Sequence, residues 1–341
     1  MKTSGELVAA ALAGSWRRQP EEPTLSTTEL SGITPLLLQS GAGALTWWRL
    51  RNFQLANEPS LAELQQAYRL HAIQAALHET HVKQVLALMR AADIEPILIK
   101  GWTIARHYPE TGLRPYGDLD LCVAAEQFAE AKATLTKTNS RYPVDLHKGL
   151  RLLDQRSWDE VFDRSQLVEL DQTDVRVLAP EDQLRVLCFH LLRHGVERPV
   201  GLCDIAVALE KRAADFDWNV CLGNNRKHVE WIGCVIALAK HLLCAEVGEL
   251  PFSIESRPPN WIVKCVLKAW GRSFSTHFTQ APALEFYRRH PRGLGRALAA
   301  RWPTPIIGTF GVGGSFNRLP RFPYQFGYLL LRSARFLKEQ T

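Results

Sequence analysis

Two aspartates one residue apart, Asp118 and Asp120, are the side chains whose type and spacing most directly offer chemistry. They begin an alternating run, Asp118-Leu119-Asp120-Leu121-Cys122-Val123. On a strand, residues i and i+2 share a face, so the run predicts both carboxylates on one side and Leu119 and Leu121 in the core. Carboxylates held side by side repel each other and lose hydration unless a cation lies between them. Hard oxygen ligands of this kind suit Mg²⁺. The competing reading is an ordinary solvent-facing strand edge. A second pair, His190 and His194, falls four apart on a predicted helix and shares a face. It is no metalloprotease site, because Leu191 stands where an HExxH helix needs glutamate.

The elements that must position these groups follow from pattern. Ile97-Leu98-Ile99 runs into Lys100-Gly101, which predicts a short buried strand broken at the glycine. A turn or two of helix is expected over 102–108. Pro109-Glu110-Thr111-Gly112 and Arg114-Pro115-Tyr116-Gly117 then break regular structure and deliver the chain to the aspartates. Ahead of the strand, Leu64, Ala67, Tyr68, Val82, Val85, Leu86 and Met89 recur at three- and four-residue spacing. They predict a long helix over 61–91 with Ser60 as its N-cap. Shorter helices are expected over 4–18 and 26–39. After the aspartates come a helix over 124–137 and a strand over 142–147, with Val144 and Leu146 on one side and Asp145 and His147 on the other. A hairpin over 166–177 follows, then helical periodicity from Pro180 to about 246, and a basic amphipathic helix over 324–338.

Lys100-Gly101, Tyr108-Pro109 and the run from Arg114-Pro115-Tyr116-Gly117 through Asp118 and Asp120 to Val123 resemble the core of the uncharacterised nucleotidyltransferases, within the DNA polymerase β-like superfamily. The likeness extends more loosely over 60–245 and leaves the tail uncovered. It implies an α+β fold: a polymerase β-like core, with a short mixed sheet flanked by helices, and N- and C-terminal helical segments. It also implies transfer of an NMP group from an NTP to a hydroxyl or similar group of an acceptor, with two Mg²⁺ ions. In this likeness Asp118 and Asp120 hold the nucleotide's metal. Asp145 completes the second metal site and accepts the acceptor's proton, with His147 beside it. Lys100 would meet the triphosphate as a point charge, and Gly101 would admit phosphate close to the backbone; an exposed strand-end lysine and a turn glycine are the plainer alternatives. Arg114 either contacts phosphate or pairs with an aspartate to fix its loop. His194 and Asp204 either line the base or acceptor side of the cleft or make a helix–helix hydrogen bond. One departure stands out: the superfamily's Gly-Ser after the first strand is here Gly101-Trp102, followed by a longer spacer.

At 341 residues, 46% hydrophobic and 22% charged, the composition is that of a globular protein with a sizeable core. The expected division is a helical segment over 1–90, the α/β core over 91–180, a helical subdomain over the cleft at 181–250, and a basic, aromatic-rich tail over 251–341. A net charge of +6 helps draw in a triphosphate without implying nucleic acid. Seven scattered cysteines with no CxxC argue against a disulfide framework or zinc ribbon, and predict reduced, mostly buried thiols in a cytoplasmic protein. The N-terminal apolar stretch is too weak for a secretory signal, and no run of about 20 apolar residues would span a membrane. Arg288, Arg289, Arg292, Arg296 and Arg301 in the tail raise nucleic acid or an anionic membrane as a partner, but the favoured reading is a tail that wraps the core with solvated charges and buries Phe326, Leu329, Leu330 and Phe336 against its own domain. The favoured acceptor is a small molecule or the product of a biosynthetic pathway. The rivals are a non-catalytic nucleotide-binding scaffold and an RNA-modifying, toxin-like transferase.

Overall fold

Five short strands form the sheet that carries the aspartates: β1 (Ile97–Leu98), β2 (Leu119–Val123), β3 (Val144–Lys148), β4 (Gln166–Leu170) and β5 (Thr173–Val177), in the order β3-β2-β1-β5-β4. The computed structural model describes residues 2–53, 58–137, 144–150, 153, 156–251, 257–273 and 302–339. The sheet is mixed. β2 runs antiparallel to β1 and parallel to β3, whereas β1 and β5 are parallel. β4 and β5 form the expected hairpin, turned by Asp171 and Gln172, both at positive φ, as a tight two-residue turn requires. Tyr142 and Pro143, expected to open the third strand, lie outside the described residues, as do Arg288, Arg289, Arg292, Arg296 and Arg301.

Each face of the sheet is covered. Leu119, Leu121 and Val123 pack with Leu98, Val175 and Val177 beneath α4 (Pro59–Arg90) and α6 (Phe128–Lys137). The opposite face carries Ile97, Ile99 and Cys122, packed with Val161 of α7 (Trp158–Arg164) and Val186 of α8 (Pro180–Arg193). All five residues of β2 are therefore buried, Asp120 included. The alternation predicted the inward leucines correctly, but the acidic face is covered by helices at Asp120 and opens to solvent only toward β3.

The remaining helices build a second, larger core. α1 (Ser4–Leu12), α2 (Thr27–Gln39) and α3 (Gly43–Leu50) pack with α8, α9 (Pro199–Glu210), α11 (Arg226–Leu243) and α12 (Asn260–Trp270). Trp16 donates to Glu210 at 2.9 Å, and Arg17 pairs with the same carboxylate at 2.8 Å, which pins the N-terminal segment to the end of α9. Three short helices, α5 (Trp102–Ala105), α10 (Trp218–Leu222) and α13 (Pro305–Gly311), and the closing α14 (Phe322–Glu339) are the other helices among the described residues. Five of the seven cysteines are buried and none is in a disulfide among the described residues.

Several boundaries differ from expectation for local reasons. α4 starts at Pro59, with Glu58 as N-cap and no side-chain cap, so Ser60 lies inside the first turn. Proline at that position has its φ preset and lacks one of the N–H groups a cap would have to satisfy. α2 instead has the full reciprocal cap, with Ser26 accepting from the Glu29 N–H and Glu29 from the Ser26 N–H. α1 stops at Leu12, and α6 starts only at Phe128.

The loop leading to β2 lies against α4 at Gly112. Its φ is +92°, and a Cβ there would sit 2.6 Å from the backbone of Ala72. Both the conformation and the contact exclude a side chain. Gly112→Ala is expected to destabilise the fold by about 3 kcal/mol, read as a lower urea midpoint with an unchanged slope.

Candidate functional site

β2 and β3 pair so that Asp120 is opposite Asp145, and Cys122 is opposite His147. Partners in register point to the same side of a sheet, so Asp120, Asp145 and His147 converge on the face that carries Cys122. The His147 Nε2 atom is 3.2 Å from Asp120 Oδ1 and 3.3 Å from Asp145 Oδ2. Each of the three offers a ligand atom, and those atoms lie within 4.8 Å of one another. The group is graded in exposure: the Asp120 side chain is 3% exposed, His147 34% and Asp145 58%. One end is therefore dry and the other meets solvent.

The buried end is neutralised by Lys100, whose ammonium is 2.6 Å from Asp120 Oδ1. Burial works against ionising Asp120, but hydrogen bonding by His147 and the charge of Lys100 outweigh it, so the carboxyl stays below its ordinary value. Lys100 is placed by the backbone, since the Ile99 N–H donates to the Asp120 carbonyl at 3.0 Å. Gly101 then turns the chain at a φ of 69° into α5. On its other side Lys100 is 3.4 Å from Nδ1 of His190 on α8. Burial, and next the charge of Lys100, push the His190 imidazole down to about 3, so it stays neutral. His194, at the end of α8, sits against it with ring centroids 4.5 Å apart. It too is lowered, by burial and then by Lys100, Arg193 and Arg198. Lys100 is thus the cation that faces the buried carboxylate, with neutral imidazoles behind it.

Arg114 and Asp204 meet each other one layer behind. The Arg114 guanidinium donates to both Asp204 oxygens, with Nη2 at 2.8 Å and Nε at 3.2 Å, and its Nη1 donates to the Pro115 carbonyl. The Tyr108 hydroxyl donates to the same carboxylate at 2.8 Å. Burial opposes the Arg114 charge, yet Asp204 outweighs it and the pKa rises. Of the two alternatives open for Arg114, the structure shows the pairing that fixes its loop. The clamp ties that loop to α9.

The structure thus brings Lys100, Asp120, Asp145 and His147 together, with Gly101 adjoining. It places His194 behind His190 and joins Arg114 to Asp204. Asp118 precedes β2, is exposed, and does not join the three-residue group. Two participants had no assigned role in the sequence reading: His190, whose four-residue spacing from His194 was its one signal, and the Tyr108 hydroxyl. Two carboxylates and an imidazole, partly open to solvent, fit a divalent cation.

The model of a family described as uncharacterised nucleotidyltransferase matches residues 31–148 and 137–243, which span the whole sheet and helices α8 to α11. No curated protein and no solved structure matches the chain.

Two outcomes follow from the geometry. Asp204→Asn leaves Arg114 buried without its counter-charge and is expected to cost about 3–5 kcal/mol in chemical denaturation. For His190 the folded pKa lies below the ordinary 6.5, so the unfolded chain binds the extra proton. Its contribution is complete above pH 6.5 and is lost as pH falls toward 3, with a slope of up to about 1.4 kcal/mol per pH unit. His190→Asn should flatten the acid limb of stability against pH relative to the parent by that amount.

Proposed function

The chain belongs to the family of uncharacterised nucleotidyltransferases, and we propose that it moves a nucleoside monophosphate from an NTP to a hydroxyl or similar group of a small-molecule or biosynthetic-product acceptor. The observation that carries this reading is the in-register meeting of Asp120 and Asp145, with His147 between them and Lys100 on the buried oxygen. Asp120 and Asp145 would hold Mg²⁺, two ions in all, with Asp118 reaching in from the loop. His147, within hydrogen-bonding distance of both carboxylates, would orient them. The metal's contribution when bound is to neutralise charge on the triphosphate and make the attacking oxygen more acidic.

The chain's own residues do the rest. Lys100, with neutral His190 and His194 behind it, forms the cationic side against which the triphosphate lies. Gly101 lets phosphate approach the backbone. Asp145 is the solvent-exposed carboxylate, so the acceptor enters from its side, and Asp145 takes the hydroxyl proton. The acceptor oxygen bonds to the α-phosphorus, the bond to the bridging oxygen breaks, and pyrophosphate leaves with that electron pair. Arg114, Asp204 and Tyr108 act on the reaction only by holding the loop in place.

Thermal unfolding with each NTP, with and without Mg²⁺, tests this reading. A ligand at a hundred times its Kd stabilises by about 2.7 kcal/mol, so the cognate NTP should raise the Tm only with metal. Asp120→Asn should abolish that rise and lower transfer by more than about a hundredfold while the protein stays folded. Absence of a metal-dependent rise with every NTP would overturn the assignment, and full transfer by Asp118→Asn would remove Asp118 from the site.

A further inference from the structure

The positive charge of this chain is concentrated in residues 251–341. Residues 251–341 hold fourteen Lys or Arg against three Asp or Glu, and the rest of the chain has more acidic than basic residues. Between Trp302 and Lys338 there is no acidic residue at all. That stretch contains all of α14 except its last residue, Glu339, and the two sides of the helix differ sharply.

One side is fixed to the protein. α14 approaches α13 so closely that a Cβ on Gly308 would lie 2.7 Å from the Gln325 Cα. The Gln325 amide donates to the Pro303 carbonyl at 2.7 Å. The guanidinium of Arg321 lies over the rings of both Trp261 and Tyr324. The other side is apolar and exposed: Phe322 is 62% exposed, Phe326 47% and Leu330 56%. These positions recur every four residues and form one stripe along the helix. Trp302 stacks on Phe322 at 5.7 Å, and Phe322 stacks on Phe326 at 6.3 Å, which extends the stripe back to the start of the segment. Leu319 and Leu331 are exposed as well, and the exposed charges of Arg318 and Arg332 flank the stripe along the chain.

We propose that this face of α14 docks on an anionic lipid surface, lying flat with Phe322, Phe326 and Leu330 among the acyl chains and Arg318 and Arg332 at the headgroups. An apolar stripe bordered by arginines, with no acidic residue along it, is the pattern that such surfaces bind. A second copy of the chain would set the same unrelieved positive charge against itself. Single-stranded nucleic acid would use the aromatic rings for stacking but leave the aliphatic residues in water. The helix has 18 residues, and no described helix is long and apolar enough to cross a membrane.

Flotation of the full chain with vesicles of phosphatidylcholine, alone or mixed with phosphatidylglycerol, tests the proposal. The protein should float only with the anionic vesicles, and less so as salt is raised. Phe322→Ser with Phe326→Ser should lower partition at least about tenfold, and Arg318→Glu with Arg332→Glu should do the same. Both variants should keep the parent's unfolding temperature and its metal-dependent NTP response, so a lost NTP response in the parent would count against the proposed reaction and not against docking. Failure to float with anionic vesicles, equal flotation with neutral ones, or flotation unchanged in both variants would overturn the proposal. So would a dimer in sedimentation equilibrium, or salt-dependent single-stranded RNA binding, that the Phe322 and Phe326 substitutions abolish while vesicle binding persists.

Discussion

A carboxylate taken almost wholly out of water is the constraint on which this structure turns. Asp120 sits in the middle strand of three, with helices over its face, and an isolated ionised group there would be prohibitively costly. Lys100 and His147 resolve that cost, and each comes from a strand next to β2. Lys100 follows β1, which is antiparallel to β2, while His147 comes from parallel β3. The mixed strand directions are thus what bring an ammonium to one side of the carboxylate and an imidazole to the other. A sheet of the same strands in another order would strand the charge.

Around this pair the molecule is layered by chemistry. Nearest solvent is Asp145; behind it are His147 and Asp120, then Lys100, then the neutral imidazoles of α8. Each step inward replaces water with a fixed partner. The layer that holds the approaching loop is joined the same way, with Arg114 and the Tyr108 hydroxyl both donating to the buried Asp204. Such an arrangement has little freedom to reorganise around a ligand, as suits a family whose chemistry depends on positioning.

Much of this was legible from the residues alone, wherever the information was local. The alternation through Asp118 to Val123 identified the strand and its inward leucines, and Asp145 with His147 shared a predicted face. The hairpin at Asp171 and the helix opened by Pro180 were equally visible. Contacts between residues distant in sequence were not. Arg114 and Asp204 are 90 residues apart, as are Lys100 and His190, and no pattern within either stretch names its partner. Asp118 shows the limit of periodicity: it has the right spacing to join Asp120, but the strand begins one residue after it. At Ser60 residue preference pointed to a cap, whereas the neighbouring proline decided where the helix began.

The pinning of the first helices to Glu210 has a consequence for how this protein comes into being. α1 buries part of its apolar surface against α11 and α12, which end as late as Trp270, so during synthesis that part emerges long before these helices exist to cover it. At a typical elongation rate of about 5–20 residues per second, that interval lasts on the order of 10–40 seconds. That part of α1, whose Leu7, Val8 and Leu12 are buried at the end, spends that time accessible to chaperones and to other nascent chains. Yield in a cell therefore depends on protection of a segment that has no part in the chemistry.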